Sequence, residues 1–333
     1  MRRALSRLCV LPLLIVLGSA SADFSIASAS TSLQSDQLFA APTKLDRIGR
    51  IVAPVMINGQ GPFRLVIDTG ASHSTISPGL ADTLGLKPQA DPGIWVNGIT
   101  GTALLPAVPI ERLEVGRIAV ENTRLPVVWG SVMANTDGIL GVASFKTERL
   151  FVDFKWNRVS IIEGGQRAAP RGFTRIPFKR LDDGLIVVPA KVGGLVVRAI
   201  IDTGAQRTLG NIALRDALKT DRGRGKLLQV TNVYGATTES KSGEVHVVPS
   251  IKLADLLLSD VAVVYGDFHI FDVWKMSSEP TLIIGMDVLG AVRALAIDFQ
   301  RSELYIKSLG YDAMEHSRRG VGVRAHRAFT TGH

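Results

Sequence analysis

Cysteine is almost absent from this chain: of 333 residues only Cys9 carries a thiol. It sits inside an N-terminal apolar run, so disulfide scaffolding, thiolate nucleophiles and cysteine-ligated metals are excluded for everything downstream. Histidine is scarce too, with six residues, two of which (His326 and His333) lie close to the C-terminus. No His-Glu-x-x-His pattern, Gly-Lys-Ser/Thr phosphate loop or Gly-x-Ser-x-Gly elbow occurs. A metal site is therefore not expected, and no cofactor is implied. Aromatic residues make up only 6% of the chain.

A long hydrophobic run is also missing. The apolar stretch Leu8–Gly18 has eleven residues, well short of the roughly twenty that a helix needs to cross a bilayer. It follows a basic start (Arg2, Arg3, Arg7) and precedes Ser19-Ala20-Ser21-Ala22. That is the layout of an export signal, residues 1–22, with cleavage expected after Ala22. The expected location is periplasmic or secreted. Removing three arginines would lower the formal net charge from +8 to +5. The other basic residues are dispersed or terminal (Arg318, Arg319, Arg324, Arg327), so no nucleic-acid footprint is expected.

What the chain has is a repeat. Asp68 and Asp202 are 134 residues apart, as are Gly59 and Gly193, and Gly101 and Gly235. Gly141 and Gly285 are 144 apart, and Asp153-Phe154 and Asp298-Phe299 are 145 apart. The change in offset places one insertion of about ten residues in the second copy, within Tyr265–Pro280. Each copy consists of short runs of Val, Ile and Leu broken by Gly, Pro and Asn, a β pattern. Hairpins are expected at Asn58-Gly59-Gln60-Gly61 and Gly193-Gly194. Short helices are expected after each Asp loop, with a stub after each later glycine. The organisation expected is a loose segment 23–45, a first half 46–163, a linker 164–175, a second half 176–309 and a loose tail 310–333.

The duplicated chemistry is a carboxylate at the end of an apolar strand, followed by a glycine turn: Val66-Ile67-Asp68-Thr69-Gly70-Ala71 and Ile200-Ile201-Asp202-Thr203-Gly204-Ala205. Gly70 and Gly204 let backbone N–H groups turn back toward the carboxylates, and Thr69 and Thr203 can brace the turns. Two such loops across an approximate two-fold axis would bring two carboxyls together. Such a pair shares one proton and holds an acid and a base around one water.

At these residues the chain resembles the aspartic proteases, and the retropepsin-like branch in particular, over residues 48–163 and 174–308. The resemblance covers both Asp-Thr-Gly-Ala segments and the later Ile139-Leu140-Gly141 and Ile283-Ile284-Gly285. It implies an all-β fold of two tandem β-barrel halves related by a pseudo-two-fold axis, with few short helices. It further implies an Asp68/Asp202 dyad, Gly141 and Gly285 packed beneath the Asp loops, and two substrate-covering flaps. By position those are Ile99-Thr100-Gly101 and Val233-Tyr234-Gly235; only the second contains a tyrosine. The substrate implied is a peptide or protein, cleaved by a monomer with an internal pseudo-dimer. Two other readings stay open: a peptide-binding protein that keeps the fold without turnover, and a protease active only as a homodimer. Trp95, Trp129, Trp156 and Trp274 are expected as core or pocket-wall residues, His73 as a surface residue, and Asp137, Asp153, Asp287 and Asp298 as structural residues.

Overall fold

A computed structural model describes residues 37–309 apart from 43, 46–48, 117, 131–132, 134, 166–171, 182, 219–225 and 238. The expected signal and tail lie outside the described residues. The fold is all-β in two halves. The first half is an eight-stranded sheet in which Gln60–Asp68 runs between Ile51–Ile57 and Gly138–Gly141. In the second, Leu195–Ile201 lies between Ile186–Val192 and Thr281–Ile284. Both Asp-bearing strands pair in parallel with their glycine strand, with Asp68 opposite Gly141 and Ile201 opposite Ile284. A parallel strand in mid-sheet is covered on both faces. That accounts for the unbroken apolar runs Leu65-Val66-Ile67 and Ala199-Ile200-Ile201, all fully buried.

The hairpins form where glycine and asparagine permit. Asn58 and Gly59 have φ of 50° and 73°, and Gly193 and Gly194 have φ of 54° and 92°. These are the left-handed values that a two-residue turn between twisted strands requires. The helices after the Asp loops start on caps legible in the sequence: Ser77 Oγ accepts from Leu80 N at 3.1 Å, and Asn211 Oδ1 accepts from Leu214 N at 2.8 Å. The stubs appear as a 3-10 turn, Val142–Ser144, and a short helix, Met286–Leu289. A further helix, His269–Val273, occupies the insertion.

A six-stranded sheet joins the halves, with Glu148–Asp153 of the first half paired to Ala294–Asp298 of the second. Its edge strand is Gln37–Pro42, paired with Arg158–Glu163. This corrects the expectation that residues 23–45 are loose throughout. Gln37–Pro42 lacks the alternating apolar signal of an independent strand, and its partner supplies the ladder. Within this sheet the guanidinium of Arg149 donates twice to Asp298 Oδ2, at 2.8 Å from Nε and 2.6 Å from Nη2, and both side chains are buried. Asp298 also accepts from Gly165 N at 3.2 Å and Arg301 N at 2.9 Å. Asp298 is therefore structural, as expected, and so is Asp153, which accepts from Trp156 N at 3.0 Å and pairs with Arg293. Asp298→Ala would strand the buried Arg149 charge between the halves. It should cost about 3–5 kcal/mol of stability, measured by denaturant unfolding, whereas Arg175→Ala on the exposed rim of the same sheet should cost under about 1 kcal/mol.

Candidate active site

Each Asp loop is held by the other. Thr69 Oγ1 donates to Ile201 O at 2.6 Å and accepts from Thr203 N at 3.1 Å. Thr203 Oγ1 donates to Ile67 O at 2.7 Å and accepts from Thr69 N at 3.1 Å. Both threonines are fully buried. They brace the loop of the opposite half, not their own as expected, because the pseudo-two-fold axis passes between them. Below the loops, Val142 N donates to Ala71 O and Met286 N to Ala205 O, both at 2.8 Å. A Cβ on Gly141 would stand 2.6 Å from the backbone of His73, and one on Gly285 2.6 Å from that of Arg207. Only glycine fits beneath each loop. Ser74 and Thr208 hydroxyls complete the support, accepting from Gly141 N at 3.1 Å and Gly285 N at 3.2 Å.

This bracing drives Asp68 and Asp202 together. A Cβ on Gly70 would collide with the Asp202 carboxyl and one on Gly204 with that of Asp68. The two carboxyls lie close enough for each to perturb the other's ionisation. Asp68 Oδ1 accepts from Gly70 N at 2.8 Å. Asp202 Oδ1 accepts from Gly204 N at 2.8 Å and Ala205 N at 2.9 Å. Burial raises Asp68 above the ordinary carboxyl range, while the Gly70 N–H and the positive charge of Arg50 hold the rise back. Asp202 is pushed well above that range, first by burial and then by repulsion from Asp68. The asymmetry has a source in the sheet. Arg50 immediately precedes Ile51–Ile57, which pairs with the Asp68 strand. Leu185 immediately precedes Ile186–Val192, which pairs with the strand leading to Asp202. Arg50 is 1% exposed, as is Leu185. A buried cation acts on one carboxyl, and an aliphatic residue stands at the matching place in the other half.

The two flaps meet tip to tip. Hairpin Gln89–Asn97/Thr102–Val115 carries Ile99-Thr100-Gly101, and Lys226–Tyr234/Ser240–Leu253 carries Val233, Tyr234 and, at its turn, Gly235. Thr100 Oγ1 lies 3.1 Å from Thr237 Oγ1, both side chains buried. A Cβ on Gly98 would approach Ala236 N to 3.2 Å, and one on Gly235 would approach Ile99 N to 3.1 Å. Each tip packs on the opposite half: Ile99 joins the cluster of Ile200, Leu209, Phe268 and Phe271, and Ala236 joins Val128, Met133 and Ile139. Val233 packs with the former cluster, but Tyr234 is 61% exposed and faces away from it. Trp95, Trp129 and Trp156 are exposed, contrary to the packing expected of them. Trp274 does pack, its ring edge-on to Phe271 at 6.4 Å. His73 is exposed, touching Ser72. Asp287 accepts from Thr208 N at 2.9 Å and Oγ1 at 2.7 Å, and Asp137 from Arg64 N at 2.6 Å, both as loop ties.

Two residues of this site escaped the sequence reading. Arg50 could have been found as a charge before the first repeat with no charged counterpart before the second, where Gly184 and Leu185 stand. Thr237 carries no signal in the sequence.

A model of the aspartyl protease family matches residues 53–143 and matches again over 188–288. The two matches fall on the two halves and together span more than half of the chain, which belongs to that family. A search of curated proteins finds no significant match.

The raised carboxyls make a stability prediction. A carboxyl whose folded pKa is above its unfolded value binds more protons folded than unfolded, so it lowers stability as pH rises through that window. Asp202→Asn removes the burden. Thermal unfolding should show the variant gaining on the wild type between pH 4 and pH 7, with the smallest difference at the acid end. A difference independent of pH would contradict the raised Asp202.

Proposed function

We propose that this chain is an exported aspartic endopeptidase in which Asp68 and Asp202 activate one water within a single chain. The observation that carries the reading is the contact of each carboxyl with the other loop's glycine. In the resting pair Asp68 is the ionised partner, favoured by Arg50, and Asp202 keeps the shared proton. Asp202 has one more N–H donor than Asp68, but repulsion from the charge on Asp68 raises it by more than either N–H bond lowers it. Asp68 takes a proton from the water as it attacks the peptide carbonyl. Asp202 donates its proton to the carbonyl oxygen; as the tetrahedral gem-diol collapses, Asp68 passes its proton to the leaving amine and Asp202 takes one back from the diol, which restores the pair. Thr69 and Thr203 keep the carboxyls fixed during this exchange. The flap tips Ile99-Thr100-Gly101 and Val233-Tyr234-Gly235 cover an extended peptide and exclude water. The buried apolar walls on both sides favour apolar side chains flanking the scissile bond. One chain supplies both halves, so no homodimer is required.

The decisive experiment is digestion of a mixed peptide library by the purified mature chain, with and without an aspartic-protease inhibitor. Asp68→Asn and Asp202→Asn should each abolish cleavage, and the double variant should be no worse, because the pair acts as a unit. An Asn variant that kept substantial activity would contradict the dyad. If neither chain nor inhibitor altered the library, the non-catalytic peptide-binding reading would replace this one.

Arg50 gives a second test. Removing its charge by Arg50→Met raises the cost of ionising Asp68, so the acidic limb of the kcat/KM profile should move to higher pH. Arg50→Lys should leave the limb near the wild-type position. Coincident limbs for wild type and Arg50→Met would remove Arg50 from the mechanism.

A further inference from the structure

The insertion that unbalances the two copies reaches across the molecule to the flap of the other half. Its helix, His269–Val273, follows the buried Phe268 and carries the buried Ile270 and Phe271. Ile99, the tip of the first flap, packs against the apolar cluster to which these side chains belong. At the neck of that flap, Asn97 and Thr102 form the last pair of the hairpin. Thr102 Oγ1 donates to Asn97 Oδ1 at 2.7 Å and lies 2.6 Å from His269 Nε2. A hydroxyl has one proton, and here it is committed to Asn97. The bond to the ring must therefore run from Nε2–H of His269 to the threonine oxygen. The neutral Nε2–H tautomer and the imidazolium both supply that proton. The first flap is thus gripped twice by the second half, at its tip by apolar packing and at its neck by His269.

The second flap is not treated in the same way. Its neck pair, Tyr234 and Ser240, is exposed like Asn97 and Thr102, but among the described residues no side-chain hydrogen bond ties it to the first half. The first copy is about ten residues shorter at the place where the second carries its helix. The pseudo-two-fold relation that gives the halves matching flaps therefore gives the flaps unequal anchors.

We propose that His269 is a positioning residue that latches the first flap shut, so that peptide enters and leaves by the lifting of the second flap alone. This rests on the protease reading of the cleft, and it makes the first flap a fixed wall of the peptide site and the second its gate. A single neutral hydrogen bond shifts an open–closed equilibrium by roughly three- to tenfold.

The test is hydrogen–deuterium exchange on the full mature chain, which needs no turnover and so can fail separately from the protease reading. In the wild type, the amides of residues 96–105 should exchange at least about threefold more slowly than those of residues 232–241. His269→Ala and Thr102→Val should each speed exchange in the first flap by roughly three- to tenfold and leave the second unchanged. The double variant should match the singles. His269→Gln, which retains an N–H donor, should restore part of the protection. With a cleavable peptide, His269→Ala should raise KM several-fold with kcat nearly constant, because the closed complex must then order a loose flap. Equal protection of the two flaps in the wild type would overturn the proposal, as would unchanged first-flap exchange in Thr102→Val, a surface change that does not threaten folding.

Discussion

The crossed hydrogen bonds of Thr69 and Thr203 are the constraint on which the rest of the site depends. Two carboxyls in a dry cleft repel whenever both are charged, and burial penalises each charge separately. Nothing in the chemistry of Asp68 and Asp202 draws them together without a shared proton. The threonines supply the closure. Each hydroxyl donates to a carbonyl of the opposite strand while accepting the opposite threonine's N–H. Each such bond contributes on the order of 1 kcal/mol net, and all four break together if the halves part. The carboxyls are therefore placed by a device that does not itself titrate. The pair can thus change protonation without loosening its own scaffold.

Around that centre, the packing is arranged so that each half depends on the other. The joining sheet pairs Arg149 of one half with Asp298 of the other. The flap tips exchange places, Ile99 lying on the second half's core and Ala236 on the first's. Neither flap can close on its own half alone. A closed cleft therefore reports that both halves are docked, and the same docking fixes the dyad. Stability, closure and catalytic geometry are consequences of one set of contacts across the pseudo-two-fold axis.

How much of this was legible in the sequence follows from where each interaction lies. The Asp loops and their glycine partners were readable because local rules write them: apolar strand, carboxylate, Gly turn, and a second copy at a fixed offset. The helix caps Ser77 and Asn211 and the turn at Asn58-Gly59 are local in the same sense. Interactions between the copies left no such mark. A threonine that braces the opposite loop has the same sequence neighbours as one that braces its own. Gln37–Pro42 becomes a strand only because Arg158–Glu163 offers it an edge. The exposed Trp95 and Trp156 show the reverse failure, since composition assigns a large ring to the core while the outer face of a hairpin can also hold it.

Joining two halves in one chain also explains why they differ. When two identical chains make a site, any change appears on both sides of the axis, and a helper on one side must be a helper on both. Here Arg50 acts on Asp68, while Leu185 stands at the matching place before the second pair of strands, so a cation biases one carboxyl only. Two such cations would favour two charges where the chemistry needs one charge and one proton. The insertion likewise grips one flap only. On the latch proposed above, symmetric latches would hold both flaps shut, and none on either side would leave no fixed wall for a peptide to align on. The duplicated loops and braces are the features that must match for the carboxyls to meet. The differences fall on Arg50, His269 and the inserted helix, all outside the duplicated loops.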